Sequence, residues 1–226
     1  AASDVYKRQA IRKRDIMLHV PYQPFRHLIT LLQEASIDPL VQRISVTQYR
    51  LASKSCIAGA LQSAARNGKE VFVIVEPQAR FDEEANIKWA GQYRDAGVNV
   101  QLGVQGLKVH SKLVHITRRE HGRDRYYSVL GTGNFNEDTA TIFADHLLMT
   151  YNQEMGEDVR EIFRFFHRSF QPPRLKHLYC APFDLRNFIR RGIRREIENH
   201  KVGKASGISF KVNNFSDVET NELVSE

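Results

Sequence analysis

His110 and Lys112 stand two residues apart in Gly106-Leu-Lys-Val-His-Ser-Lys-Leu113, and Gly131-Thr-Gly-Asn-Phe-Asn136 follows the next apolar run. Side chains alternate faces along an extended chain, so this spacing points the imidazole and the ammonium the same way. A nucleophilic or acid–base nitrogen beside a fixed cation suits chemistry on a phosphoryl group. The cation takes up charge on the oxygens while the imidazole attacks phosphorus or shuttles a proton. A lone His-x-Lys describes more ordinary strands than active sites. The small-residue loop ending in amides, one strand later, separates this case from those.

Other candidate phosphate ligands lie where strands end. Arg50 closes Gln48-Tyr-Arg50, and Arg80 follows the apolar run Val71–Val75. In open α/β sheets ligands gather outside the carboxyl ends of strands, and the planar guanidinium donates to phosphate through two parallel hydrogen bonds. Taken singly, each reads equally as a surface arginine pairing with an acid; Asp82, Glu83 and Glu84 are close to Arg80. Gly68-Lys69 lacks the upstream glycine of a P-loop, and Gly131-Thr-Gly133 has Asn136 where a dinucleotide fingerprint needs its third glycine. No HExxH or EF-hand pattern occurs, so phosphate handling has to rest on side chains.

Strand and helix patterns alternate around these residues. Apolar, β-branched runs predict strands at Ile16–Val20, Arg43–Tyr49, Val71–Val75, Val98–Leu102, Leu107–Thr117, Tyr126–Leu130 and His146–Thr150. Helices are predicted over Phe25–Ala35 behind Pro24, from a Ser53 or Ser55 cap to Arg66, over Asp82–Ala96, and over Glu154–Phe170. The result is an α/β domain with a mostly parallel sheet and a β-rich second half. Pro172-Pro173 punctuates the chain, after which the opening grammar restarts weakly. Leu178–Ala181, Ala181-Pro182-Phe183, a helix and Ile208-Ser-Phe210 echo Ile16–Val20, Val20-Pro21-Tyr22, a helix and Ile44-Ser-Val46. On that reading a second copy of the domain begins near Leu175 and is cut short.

The 226 residues leave room for one or two domains, and 42% hydrophobic with 26% charged residues is a globular composition. No apolar run approaches the roughly 20 residues of a membrane helix, and the N-terminus lacks the apolar core of a signal peptide. Cys56 and Cys180 form no metal-binding cluster and suggest no disulfide framework, which makes a reduced, cytoplasmic setting the default. The net charge of +7 is uneven: residues 172–204 carry nine basic and three acidic side chains, and residues 205–226 one basic and four acidic. Leu185, Ile189, Ile193 and Ile197 make an apolar helical stripe beside a basic one of Arg186, Arg190 and Arg194, widened by Arg191 and Arg195. A core face with a solvated charged face explains such a helix; a polyanion track is the sharper alternative.

Together, Ile11-Arg-Lys-Arg-Asp-Ile-Met-Leu-His-Val-Pro-Tyr22, Gln48-Tyr-Arg50, Ala79-Arg-Phe-Asp-Glu-Glu-Ala-Asn-Ile87, Gly106-Leu-Lys-Val-His-Ser-Lys-Leu113 and Gly131-Thr-Gly-Asn-Phe-Asn136 resemble the polyphosphate kinases of the phosphohistidine-forming type. The resemblance runs in order from about Ala10 to the end. It implies a phospholipase D-like α/β fold with a mixed sheet flanked by helices. It divides the chain into an unmatched leader over 1–9, a first catalytic domain over 10–171 and the start of a second over 174–226. It implies that His110 carries the phosphoryl group, with Lys112 beside it. Arg50 and Arg80 match arginines tied to phosphate and, indirectly, magnesium; Asn134, the asparagine of the Gly-x-x-Asn loop, is implied to bind phosphate. Phe143 stands where the family has a tyrosine facing the nucleotide, and Thr141 where it has a basic residue. ATP/ADP and polyphosphate are the implied partners, with magnesium as cofactor. No nucleic acid is expected. The resemblance also implies a homo-oligomer at full length and a cytoplasmic location, peripheral to the inner membrane. Thr117 occupies the place, five residues after Lys112, of the aspartate that completes the phospholipase D signature. That favours a phosphotransferase over a phosphodiesterase; a non-catalytic polyanion-binding fragment is the third class.

Overall fold

The computed structural model describes residues 7–49, 51–52, 54–77, 83–210 and 217–225. It divides into two compact units, Ala1–Arg174 and Leu175–Glu226. The first is built on seven strands: β1 (Ile16–Val20), β2 (Val41–Gln48), β3 (Glu70–Val75), β4 (Asn99–Leu102), β5 (Lys112–Glu120), β6 (Arg123–Gly131) and β7 (Asp145–Thr150). They lie in the order β1-β7-β6-β5-β2-β3-β4.

Only the pairs β2/β3 and β3/β4 are parallel; the pairs β1/β7, β7/β6, β6/β5 and β5/β2 are antiparallel. The sheet is therefore mixed, not mostly parallel. The change from parallel to antiparallel falls between β2 and β5, and a tight hairpin joins β5 to β6. His121 and Gly122 both take positive φ (48° and 76°), as the favoured two-residue turn requires.

Helices α1 (Lys7–Lys13), α2 (Arg26–Ile37), α3 (Cys56–Arg66), α4 (Glu83–Asp95) and α5 (Gln153–His167) accompany the sheet. Leu28, Leu31 and Leu32 of α2, with Ile57 and Leu61 of α3, bury themselves against Ile44, Val46, Val73, Val114, Ile116 and Val129. Truncating one such leucine to alanine costs about 2–5 kcal/mol by cavity formation. On the opposite face α5 packs against β6 and β5. Ser55 caps α3 by accepting from Ala58 N (3.2 Å), and Asn152 caps α5 by accepting from Met155 N (3.0 Å). Ser53, the other predicted cap, lies outside the described residues.

The second unit has two helices, α6 (Leu185–Lys201) and α7 (Val218–Ser225). The predicted strands at Leu178–Ala181 and Ile208-Ser-Phe210 are not strands here: no described neighbour within the unit offers a ladder of backbone groups. Of the apolar stripe on α6 only Ile193 is fully buried. On the basic stripe, Arg186 pairs with Asp217 (2.8 Å) and Glu219 (3.2 Å), and Arg190 with Glu219 (2.6 Å). The acidic tail thus neutralises part of the basic helix. Val20-Pro21 and Ala181-Pro182 are both cis. Among the described residues no helix is long and apolar enough to cross a membrane.

Candidate functional site

The carboxyl ends of β1, β2, β3 and β6 and the amino ends of β5 and β7 meet at one edge of the sheet. The His110 segment enters there, and the predicted strand Leu107–Thr117 needs correction. β5 begins at Lys112; residues 108–111 are irregular. The cause is side-chain bonding at the point where a ladder would continue. The Thr47 hydroxyl donates to Ser111 O (2.7 Å) and accepts from Leu113 N (2.8 Å). The carboxylate of Glu76, only 2% exposed at the end of β3, accepts from Val109 N (2.8 Å). Two side chains thus hold the backbone on either side of His110.

His110 is exposed, and its ring meets the edge of Tyr49 at 5.5 Å between centroids. Lys112 is only 7% exposed; its ammonium donates to His110 O (2.5 Å) and lies 5.5 Å from the Tyr49 ring centre. The Lys108 ammonium approaches the same ring at 5.7 Å. Tyr49 therefore carries two cations on one quadrupole, an arrangement that steadies them without neutralising them. Among the described residues neither Lys108 nor Lys112 has an ion-pair partner within 4 Å.

The Gly131-Thr-Gly-Asn-Phe-Asn136 loop reaches the site by register, because Gly131 sits opposite Lys112 in the β5/β6 ladder. Close approach dictates its glycines. A Cβ on Gly131 would lie 3.4 Å from Lys112 Cβ and 3.1 Å from Gly133 O, and a Cβ on Gly133 would overlap the Asp145 carboxylate. Asp145 accepts from the Thr132 hydroxyl (2.7 Å), and Thr132 Oγ1 accepts from His146 N (3.0 Å). Asn136 folds the loop back by accepting from Asp138 N and Thr139 N (2.9 and 3.0 Å). Glu137 then accepts from the Ser55 hydroxyl and Ile57 N (both 3.0 Å), tying the loop to the start of α3. Asn134 is half-buried, and its Oδ1 is sealed from solvent with no hydrogen-bond partner among the described residues.

The electrostatics follow from this crowding. Partial burial, then Lys112 and Lys108, lower the His110 pKa below the ordinary 6.5, with Glu76 pulling the other way. Burial lowers Lys112 from 10.5 to about 8, and Asp145 opposes the shift. Near neutral pH the imidazole is uncharged and the ammonium beside it still carries its proton. That is the pairing that nucleophilic attack on phosphorus needs.

His110, Lys112 and the loop bearing Asn134 come together at this edge. Arg50 and Arg80 lie outside the described residues. Phe143 leaves the short 3-10 turn Thr139–Thr141 with 59% of its surface exposed and stacks on no described ring. Thr141 spends its hydroxyl on Asp138 O (2.7 Å). Sequence reasoning missed Thr47, Glu76 and Asp145. Glu76 had a signal, a carboxylate directly after a buried strand; the other two had none. Among the described residues no group of three His, Cys, Asp or Glu could hold a metal. Arginine and lysine have no lone pair to offer a cation, so the described residues do not fit a magnesium site of their own.

The family described as polyphosphate kinase C-terminal domain 1 matches residues 7–172. The polyphosphate kinase of Vibrio vulnificus (strain YJ016) is 46% identical over 208 residues, covering 92% of this chain and 30% of the relative. That of Escherichia coli (strain K12) is 44% identical over the same shares. The chain thus spans about 30% of the length of the curated relatives it matches. The crystal structure of polyphosphate kinase from Porphyromonas gingivalis superposes with a TM-score of 0.77 at 41% identity, over 86% of this chain and 32% of that one. Nuc from Salmonella typhimurium, a phospholipase D family member, superposes with a TM-score of 0.52 at 16% identity, over 71% of this chain and 96% of that one. The fold is accordingly phospholipase D-like, and the chain belongs to the polyphosphate kinase family.

Proposed function

We propose that this chain carries the phosphoryl-accepting histidine of an ATP:polyphosphate phosphotransferase. The observation that carries the reading is an exposed, uncharged His110 beside Lys108 and Lys112, two cations with no described carboxylate partner. Neutral His110 attacks the terminal phosphorus of ATP in line; a P–N bond forms as the P–O bond to ADP breaks, and ADP leaves. A terminal oxygen of polyphosphate then attacks the phosphohistidine, the P–N bond breaks, and the chain is one phosphate longer. The reverse sequence makes ATP. Lys112 and Lys108 offset charge on the transferring group.

Arg50, two residues past β2, and Arg80, beyond β3, add bidentate phosphate contacts on the same reading. Asn134 donates to a phosphate oxygen, and Phe143 stacks on the nucleotide base. Magnesium, as the implied cofactor, would offset charge on the nucleotide phosphates, and Arg50 and Arg80, as donors, would meet it through water or a shared phosphate. The enzyme acts as a homo-oligomer at the periphery of the inner membrane, and this chain alone does not turn over. A phosphodiesterase is the second reading, favoured by the likeness of fold to Nuc. Against it stands Thr117, buried in β5, where that chemistry has an aspartate.

The test is incubation with gamma-labelled ATP of a full-length relative into which this sequence has been grafted. Acid-labile, base-stable label on His110, lost in His110→Ala, is the expected result. Label that survives in His110→Ala sinks the assignment, and diester hydrolysis without ATP supports the second reading.

A further inference from the structure

Glu76 directly follows β3 at the edge that carries His110, and the backbone around it is pinned on both sides. Its own N–H donates to Gln48 O (3.0 Å), which extends the β3/β2 ladder by one bond. On the other side Gly103 N donates to Val75 O (2.8 Å). The Glu76 side chain is almost wholly buried, and its Oε2 accepts from Val109 N (2.8 Å), one residue before His110. Val109 is buried too, so this bond fixes the stretch from which the exposed His110 projects. An acceptor oxygen is all that Val109 N requires, and a glutamine would supply one. Holding a carboxylate out of water costs more than holding an amide there. The charge therefore calls for its own account.

Attack on phosphorus makes two opposite demands on the charges around His110. When the neutral imidazole donates its lone pair, the P–N bond forms, the P–O bond to ADP breaks, and the ring keeps its other N–H. The ring gains positive charge while the transferring oxygens and the departing ADP hold negative charge. Lys108 and Lys112 suit the oxygens but oppose charge on the ring. Burial lowers the His110 pKa, and so do Lys112 and Lys108, whereas Glu76 raises it. A group that raises the pKa of an imidazole favours its cationic form, and the ring in the phosphorylated state shares that charge. The other groups facing this point are the Tyr49 ring beyond β2, at 5.5 Å from the imidazole, and Asp145 of β7, which opposes the effect of burial on Lys112. Arg50 and Arg80 lie outside the described residues.

We propose that Glu76 is a positioning residue for phosphoryl transfer, which fixes the backbone behind His110 through Val109 N and offsets the two lysines as the imidazole becomes cationic. The proposal rests on His110 as the phosphoryl acceptor. Glu76 touches backbone and not substrate, so its effect passes through the imidazole. A carboxylate held this rigidly needs no rearrangement when the charge develops.

The test compares Glu76→Gln, which keeps the shape and the acceptor oxygen but removes the charge, with Glu76→Asp, which keeps the charge. NMR of this chain with labelled histidines gives the His110 titration midpoint, the resonance being identified by its loss in His110→Ala. Labelling by gamma-labelled ATP, in the full-length relative carrying this sequence, gives the rate. Glu76→Gln is expected to lower the midpoint by about half a pH unit or more, and the acid limb of the labelling profile should move with it. Above the midpoint, where the ring is neutral, labelling is expected to slow about tenfold. Glu76→Asp is expected to leave the midpoint close to that of the wild type. A midpoint unmoved in Glu76→Gln, labelling at the wild-type rate, or an equal fall of the midpoint in Glu76→Asp would each overturn the proposal. Label that survives in His110→Ala overturns the reading of His110 itself, and the midpoint comparison separates that failure from this one.

Discussion

The two ends of the sheet treat charge in opposite ways. At the end away from His110, Arg118 pairs with Asp38 (2.8 Å) and Glu120 (3.2 Å), Arg12 also reaches Glu120 (3.1 Å), and the Tyr127 hydroxyl donates to Glu120 (2.7 Å). Burial works against the Glu120 carboxylate, but Tyr127, Arg12 and Arg118 hold its pKa below the usual range. Each of these charges has a counter-charge. At the other end, Lys108 and Lys112 face an aromatic ring, backbone oxygen and a histidine. A satisfied network contributes stability or register, whereas cations with no carboxylate within ion-pair distance, Lys112 feeling only the more distant Asp145, represent free energy that an anionic ligand recovers. Both ends hold buried or half-buried charge; what separates structure from function is whether the partner is already in the fold.

Substitutions at each end break or sharpen that contrast. His110→Ala should lower phosphohistidine formation at least a thousandfold with no change in melting temperature, measured by labelling beside calorimetry. Lys112→Met should lower the labelling rate by about a hundredfold, the loss of one charge-assisted contact to the transition state. The same change should raise stability. A lysine pKa lowered to about 8 means that the unfolded chain holds the proton more tightly between pH 8 and 10.5. Charged Lys112 therefore costs stability at neutral pH, and stability recovers as pH climbs through that window; the gain from Lys112→Met is roughly 1–3 kcal/mol. A Lys112→Met protein that melts earlier would remove the contrast.

Arg118→Met at the other end should do the reverse. Leaving Asp38 and Glu120 without their shared cation costs roughly 3 kcal/mol in denaturant unfolding, with labelling per folded molecule unchanged. Smaller again is the effect of Glu137→Ala. Loss of the bond to Ile57 N at the start of α3 should cost about 1 kcal/mol and loosen the loop that precedes it. The pH profile of labelling gives the finest test. It should fall below a midpoint that lies under 6.5, as His110 gains a proton, and fall again above about 8, as Lys112 loses one. A single acid limb, with no decline above pH 8, would mean that the Lys112 charge is not used.

Much of this was legible in the residues. The seven apolar runs read as strands before Pro172 correspond to strands, because β-branched periodicity survives any topology, whereas the two read beyond it do not. Their directions did not, since a central strand that is buried on both faces reads alike in parallel and antiparallel ladders. The His110/Lys112 pairing and the glycine loop were visible as motifs. The start of β5 was not, because Thr47 and Glu76 lie 63 and 34 residues from His110 and act through backbone atoms that carry no sequence signal. The basic stripe on α6 was readable, but its pairing with Asp217 and Glu219 depends on where the tail folds.

The β5/β6 hairpin works as a ruler. The Lys112/Gly131 pair is the ninth rung from the His121-Gly122 tip, a span of roughly 30 Å at about 3.3 Å per residue, and that count alone brings the loop to the lysine. Since side chains alternate with a period of two, an insertion of one residue in β5 between His115 and the tip would turn Lys112 and His115 to the opposite faces, and one in β6 would move Gly131 out of register with Lys112. An added residue at the tip would leave the count intact. Length differences among relatives should therefore collect at the tip and avoid the arms, and a library of single-residue insertions scored for folding would read out the same calibration.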